Sequence, residues 1–290
     1  MKKIAITTDT NSGMMPNAHD AQGIFVLPMP FVIDDECLLE SVNLSREEFF
    51  TKLIGGSKVS TAQPSVGEVS EFWTNILKEY DQIVHIPTSC LLSNAYSTAK
   101  VLAKEEFDGK VFVVDNRRIS VPLKLSALDG AKLRDAGKSA EEIVSYLEAD
   151  SANYTVYLSL ESMEYLKRGG RISPAVAAIG SMLKLRPILR LNGGPLEKFA
   201  MPRTMLKAKD QMKEAVKQDL TEKFKEFADK DEMVLTIAYG EFETEASAFH
   251  EEIQKAFPNV EITENEAISL SIACHTGPGT LTLICTHVVK

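Results

Sequence analysis

Tryptophan occurs once in this sequence, cysteine four times and histidine five times, and 32 Lys and Arg are outnumbered by 41 Asp and Glu. Each shortage excludes something. A net charge of -9 removes the basic footprint of general nucleic-acid binding, so no nucleic-acid partner is expected. Cys37, Cys90, Cys274 and Cys285 show no C-x-x-C spacing, which removes the usual zinc and dithiol frameworks. A chain of 290 residues can bury a core without disulfides, so unpaired thiols fit a reducing, cytoplasmic setting. No apolar run approaches the roughly 20 residues of a membrane span. The opening strand meets Thr7, Thr8 and Asp9 before a signal-peptide core could form. Stable membrane insertion is therefore not expected. His19, His85, His250, His275 and His287 are scattered, without a second ligand at helical spacing, so no metal is expected. Neither a P-loop nor a G-x-G-x-x-G run occurs, and no cofactor is expected.

What is present is alternation. Lys3 to Thr8 reads as a buried strand closed by the turn formers Asp9 to Gly13. Ile24 to Ile33 carries Pro28 and Pro30, which predicts an edge strand or an extended crossing. Ser45 and Glu48, and again Ser65 and Glu68, form capping boxes that open two helices, and Thr61 falls in the loop before the second. Ile83 to Tyr96 then packs a strand, a polar loop and a helix start into fourteen residues, with Ser93 and Asn94 at the helix opening. In a parallel sheet such a loop lies at the carboxyl edge of the strands, where the following helix start favours an anion. Val111 to Val114 and helices over 123–136 and 140–149 complete an N-terminal Rossmann-like parallel-sheet domain, residues 1–152.

Residues 153–290 read as an α+β domain. It contains a strand over 154–160, a short helix over 162–168 ended by Gly169 and Gly170, and an apolar helix after Ser173 and Pro174. An Asn192-Gly193 hairpin, a long amphipathic helix near 203–228, a strand over 233–238 and a helix over 244–256 follow. Two last strands, near 266–273 and 280–288, flank His275 to Gly279. From Leu160 to Met205 eight basic residues face three acidic ones, a local balance of +5 that suits an anionic partner or ligand.

Chemistry of turnover is thinly signalled. Ser93 lacks the G-x-S-x-G elbow of a hydrolase, although His275 is a base that could serve it. Cys90 stands near a helix start, yet Tyr96 occupies the place where a phosphatase-like loop would carry arginine. A hydrolase using Ser93 with His275, or a carrier of another small anionic metabolite, are the alternatives to the reading that follows.

Four motifs in order carry a resemblance: Thr61-Ala-Gln-Pro-Ser65, Ser89 to Ser93 opening a helix, Tyr165-Leu-Lys-Arg-Gly-Gly-Arg-Ile-Ser173, and His275-Thr-Gly-Pro-Gly279. From end to end the chain resembles the DegV family. That resemblance implies a two-domain fatty-acid-binding protein, with the acyl chain buried between its domains and the carboxylate held by hydroxyls. It also implies a partner, a separate ATP-dependent kinase subunit that converts the bound fatty acid to an acyl phosphate for phospholipid synthesis. The chain itself would have no catalytic residue. By position Thr61 and Ser93 match the carboxylate-binding hydroxyls, with Asn94 beside them. His275 and Thr276 match the headgroup motif, and Arg203 an arginine near the pocket. Arg171, with Arg168, matches the face toward the kinase subunit. The chain departs from the family's usual Ser-Gly-Leu-Ser-Gly-Thr in having Cys90, Leu91, Leu92, Ser93, Asn94 and Ala95, and the binding loop is expected to differ there.

Overall fold

The computed structural model describes residues 2–40, 42–172 and 185–290. They form two compact units, Met1–Ser151 with Ser269–Ser271, and Ala152–Ile268 with Ile272–Lys290. The expected helix after Pro174 lies outside the described residues.

The first unit is built on strands β1 (Ile4–Asp9), β2 (Ile24–Leu27), β6 (Gln82–His85) and β7 (Val111–Val113). They pair in parallel in the order β2-β1-β6-β7. Side chains alternate across a strand, so β1 must satisfy two apolar faces at once. Ile4 and Ile6 face one core with Val84, Leu123, Ala127, Ile143 and Leu147. Ala5 faces another with Ile83, Trp73, Leu102 and Phe107. Helices α4 (Val121–Asp135) and α5 (Ala140–Ala149) thus cover one side, α2 (Val66–Ile76) and α3 (Ala95–Glu106) the other.

Both expected capping boxes are present. Ser45 accepts from the Glu48 amide at the start of α1 (Arg46–Ile54), Ser65 from the Glu68 amide at the start of α2, and each Glu reaches back to its cap. The proline-bearing run divides instead of crossing. β2 ends at Leu27, and β3 (Pro30–Ile33) begins at Pro30, where a missing N–H costs least. β3 is the middle of an antiparallel sheet with β4 (Glu36–Leu39) and β5 (Val59–Thr61). This corrects the placement of Thr61. It ends a strand, opposite Phe31, rather than lying in a loop.

In the second unit β8 (Tyr154–Ser159), β9 (Ile188–Leu191), β10 (Glu197–Ala200), β11 (Met233–Tyr239) and β14 (Leu281–His287) form a mainly antiparallel sheet. Short β12 (Glu261–Ile262) and β13 (Glu266–Ala267) pair in parallel with β11. Helices α7 (Met205–Thr221) and α9 (Glu243–Ala256) pack Met212, Val216, Phe249 and Ile253 on Leu235, Ile237, Leu283 and Cys285. The long amphipathic helix is shorter than its periodicity predicts, because the chain breaks after Thr221 and resumes as the short α8 (Lys225–Ala228). A second correction concerns 266–273. After two residues of strand the chain coils into α10 (Leu270–Thr276), because a buried Glu40 carboxyl oxygen accepts from the Leu270 amide at 2.8 Å and satisfies an otherwise orphan helix-start donor.

Candidate functional site

In the first unit the chain leaves β1 toward β2 on one side and β6 toward β7 on the other. The crevice beyond the carboxyl ends of β1 and β6 is therefore the topological switch point of the sheet, where ligands of such folds bind. Asp9 ends β1 there and is 2 % exposed. Its Oδ2 accepts from the Thr88 amide at 2.8 Å, and its Oδ1 accepts from Thr88 Oγ1 at 2.8 Å and the Asn11 amide at 3.0 Å. Asn11 Nδ2 also donates to Thr88 Oγ1, at 2.8 Å. Burial raises the Asp9 carboxyl above its ordinary range, against these hydrogen bonds, which lower it. The network staples the loop after β1 to the loop after β6.

The far side of the second loop hangs on Arg118, which is fully buried. Its Nη2 donates to Asp150 Oδ2 at 2.7 Å and Asp150 O at 2.6 Å, its Nη1 to Ser126 Oγ at 3.1 Å. Its carbonyl accepts from the Ser89 amide at 2.9 Å. Between these anchors the loop turns, with the Leu92 and Ser93 amides both donating to Ser89 O at 3.0 Å. Ser93 is half-buried, and its Oγ accepts from the Ala95 amide at 3.2 Å, opening α3. Asn94 is exposed and makes no side-chain cap bond.

Thr61 is half-buried at the end of β5. Two residues on, Gln63 Nε2 donates to Thr98 Oγ1 at 3.3 Å, which brings the Thr61 segment against the helix that Ser93 opens. The two segments meet around a cavity of about 20 Å³ lined by Asp9, His85, Gln63, Pro87, Ala95 and Thr98, among others. That is room for about one water. His85 packs edge-on against Trp73, its Nδ1 shares a hydrogen bond with Thr7 Oγ1 at 2.8 Å, and burial pushes its imidazole down to about 3. Cys90 is not activated by its place near a helix start. Burial, then the Asp115 carboxylate, pushes its thiol up.

The second unit carries the other candidate residues. α10 ends at Thr276, and the Thr280 hydroxyl donates to Thr276 O at 3.1 Å and Gly277 O at 2.8 Å, closing the helix. His275 is half-buried, and burial, with the Arg171 charge second, pushes its imidazole down to about 4. The Thr276 hydroxyl is buried with no hydrogen-bond partner among the described residues. Burying a hydroxyl so costs free energy that a ligand acceptor would recover. α6 (Glu164–Gly169) stops at Gly170, whose φ of 65° places it in the left-handed region. Around this stop Arg168 lies over the Tyr165 ring at 4.9 Å, and Arg171 Nη1 donates to Gly169 O. Both arginines are exposed. Arg203 is exposed in the bend before α7, where the Arg186 amide donates to Pro202 O at 2.8 Å.

The +5 segment is less bare than its count implies. Lys167 pairs with Glu164 at 3.6 Å, Arg186 with Glu161 at 3.5 Å and Arg190 with Glu197 at 2.9 Å. Among the described residues no group of three or more His, Cys, Asp or Glu could hold a metal ion, and no helix is long and apolar enough to cross a membrane. All four cysteines are free thiols.

The profile described as "Uncharacterised protein, DegV family" matches residues 3–287. The chain belongs to the DegV family. A DegV domain-containing protein of Clostridium perfringens is 30% identical over 289 residues, covering 97% of this chain and 96% of its own. Among solved structures, a DegV family protein of Thermus thermophilus superposes with a TM-score of 0.86 at 27% identity, over 99% of this chain and 100% of its own. DegV of Bacillus subtilis does so with a TM-score of 0.84 at 26% identity, with the same coverage. Both are described as fatty-acid-binding proteins. The DegV architecture is thus the parallel-sheet unit and α+β unit described above. Asp9, Asn11, Thr88 and Arg118 were legible only as turn formers and scattered polar residues, because nothing local in sequence ties Asp9 to Thr88 or Arg118 to Asp150.

Proposed function

We propose that this DegV protein binds a long-chain fatty acid through its carboxylate and presents it, without transforming it, to a separate ATP-dependent kinase subunit that forms the acyl phosphate. The observation that carries the binding half is the whole-chain likeness to two DegV proteins described as fatty-acid-binding, at 26–27% identity and TM-scores of 0.84–0.86. The geometry is consistent with it. Thr61 and Ser93 are the proposed donors of the first unit, on two segments that meet at the switch point, with exposed Asn94 at the rim. Thr276, whose buried hydroxyl lacks a partner among the described residues, and His275 are the proposed donors of the second, and Arg203 is the proposed arginine of the pocket. Hydroxyls suit this role. They satisfy a buried carboxylate without a fixed charge that would hold a more anionic product too tightly. Methylene burial at roughly 0.8 kcal/mol each would then supply most of the affinity.

The exposed arginines Arg168 and Arg171, both close to the end of α6 in the chain, are the proposed docking face for the kinase subunit. Solvent extraction of the denatured protein and mass spectrometry test the binding reading. Near-stoichiometric fatty acid is expected, and no lipid either carried or taken up on addition would overturn it. Ser93→Ala is expected to weaken binding by about tenfold or more, the loss of one hydrogen bond to a charged group. For the docking face, Arg171→Glu is expected to abolish acyl-phosphate formation while sparing lipid binding; an unchanged rate would remove Arg171 from that face.

A further inference from the structure

Gly169 and Gly170 are adjacent but answer to different constraints. Gly170 has φ of 65° and nothing near the place where a Cβ would project. Only its backbone needs glycine. Gly169 is the last residue of α6 with no positive φ, and in a helix alanine is the better residue. Its reason is space. A Cβ at residue 169 would overlap His275 Nδ1 and lie 2.8 Å from Cε1 and 3.1 Å from Cγ. Because even Cγ is too close, the whole imidazole would have to swing away. The contact is reciprocated on the same two elements. A Cβ at Gly277 would lie 2.5 Å from Tyr165 Cδ2 and 2.7 Å from Cε2. Helix α6 thus receives a ring from the 275–277 turn, and that turn receives a ring from α6. Each exposed arginine touches one half of the lock: Arg168 lies over Tyr165, and Arg171 donates to Gly169 O.

We propose that Gly169 is a positioning residue for His275: the absent side chain is the space in which the imidazole lies, so α6 fixes the ring that is assigned to the ligand's headgroup. The inference rests on the fatty-acid reading for its consequence, but its geometry does not. It makes the glycine pair a two-part device, one residue to turn the chain and one to admit the ring.

The test is a double-mutant cycle on the full chain, using Gly169→Ala, His275→Ala and the double variant, with Gly170→Ala as comparison. Oleate is the probe ligand. Gly169→Ala is expected to weaken oleate binding about tenfold when His275 is present and less than twofold when it is absent. An equal loss in both backgrounds would show a merely structural role and overturn the proposal. Ring nitrogen NMR without lipid gives an independent reading. Gly169→Ala should shift the His275 resonances and its titration, Gly170→Ala should not, and unmoved His275 signals in Gly169→Ala would overturn the proposal. If Gly169→Ala lowers the melting temperature, His275→Ala should restore it, and a melting temperature left low in the double variant counts against the idea. Should even the unaltered protein fail to bind oleate, the fatty-acid reading falls, while the NMR comparison still decides the role of Gly169.

Discussion

Glu40 offers a test whose size follows from the structure. The residue is 4% exposed, its Oε1 accepts from the Leu270 amide at 2.8 Å, and its Oε2 is buried without a hydrogen-bond partner among the described residues. Burial pushes the carboxyl up from 4.5 to about 7, against the Leu270 amide and the Arg46 charge, which favour ionisation. The folded protein therefore keeps this proton to about pH 7, while the unfolded chain releases it near pH 4.5. The proton-linked contribution is full below pH 4.5 and is lost as pH rises toward 7. At about 1.4 kcal/mol per pH unit, the shift corresponds to roughly 3 kcal/mol. Glu40→Gln removes the titration and keeps an oxygen to accept from Leu270. The variant should gain on the wild type by up to roughly 3 kcal/mol between pH 4.5 and pH 8, read from urea unfolding of both proteins in matched buffers. Every other titrating group is common to both proteins and cancels in the difference. A difference that stays flat across that window would refute a buried, proton-holding Glu40.

Two further outcomes are expected. Arg118→Ala leaves the Asp150 carboxylate buried without its ion-pair partner and should cost roughly 3–5 kcal/mol in chemical denaturation; a loss below about 1 kcal/mol would mean that Asp150 finds water instead. Limited alkylation near pH 7 followed by peptide mass spectrometry should label exposed Cys37 well before Cys90, whose thiol is pushed up by burial and Asp115, and Cys90 reacting first would contradict that environment.

Much of the fold was readable because its signals are local. The boxes at Ser45 and Ser65 span only four residues each, and the Asn192-Gly193 turn needs two. Where the structure departs from the sequence reading, the deciding partner is distant along the chain. Glu40 accepts from Leu270 across 230 residues, which lets α10 form where a short apolar run predicts a strand. Thr61 is strand because Phe31 pairs with it, and β3 itself was obscured by Pro28 and Pro30. The site divides in the same way. Ser93 at a strand-loop-helix corner is visible from fourteen residues, while the Asp9–Thr88 staple spans 79 and the Gly169–His275 packing more than a hundred.

The electrostatics of the described site residues bear on holding against turnover. Asp9 is occupied by Thr88 and Asn11, and Arg118 by Asp150, so these buried groups of the first unit are committed to loop geometry. The groups that could move protons or attack are pushed away from neutrality in the unhelpful direction for a charged role. His85 and His275 fall to about 3 and about 4, and the Cys90 thiol rises. General acid–base catalysis works best when a group's pKa lies near the operating pH, and a thiol nucleophile needs its pKa lowered. Apart from Arg203, the groups proposed to face the ligand are neutral: hydroxyls, amides and an uncharged imidazole. Under the proposed function, such a set would solvate a carboxylate and release it, as a protein presenting its ligand to a separate subunit requires.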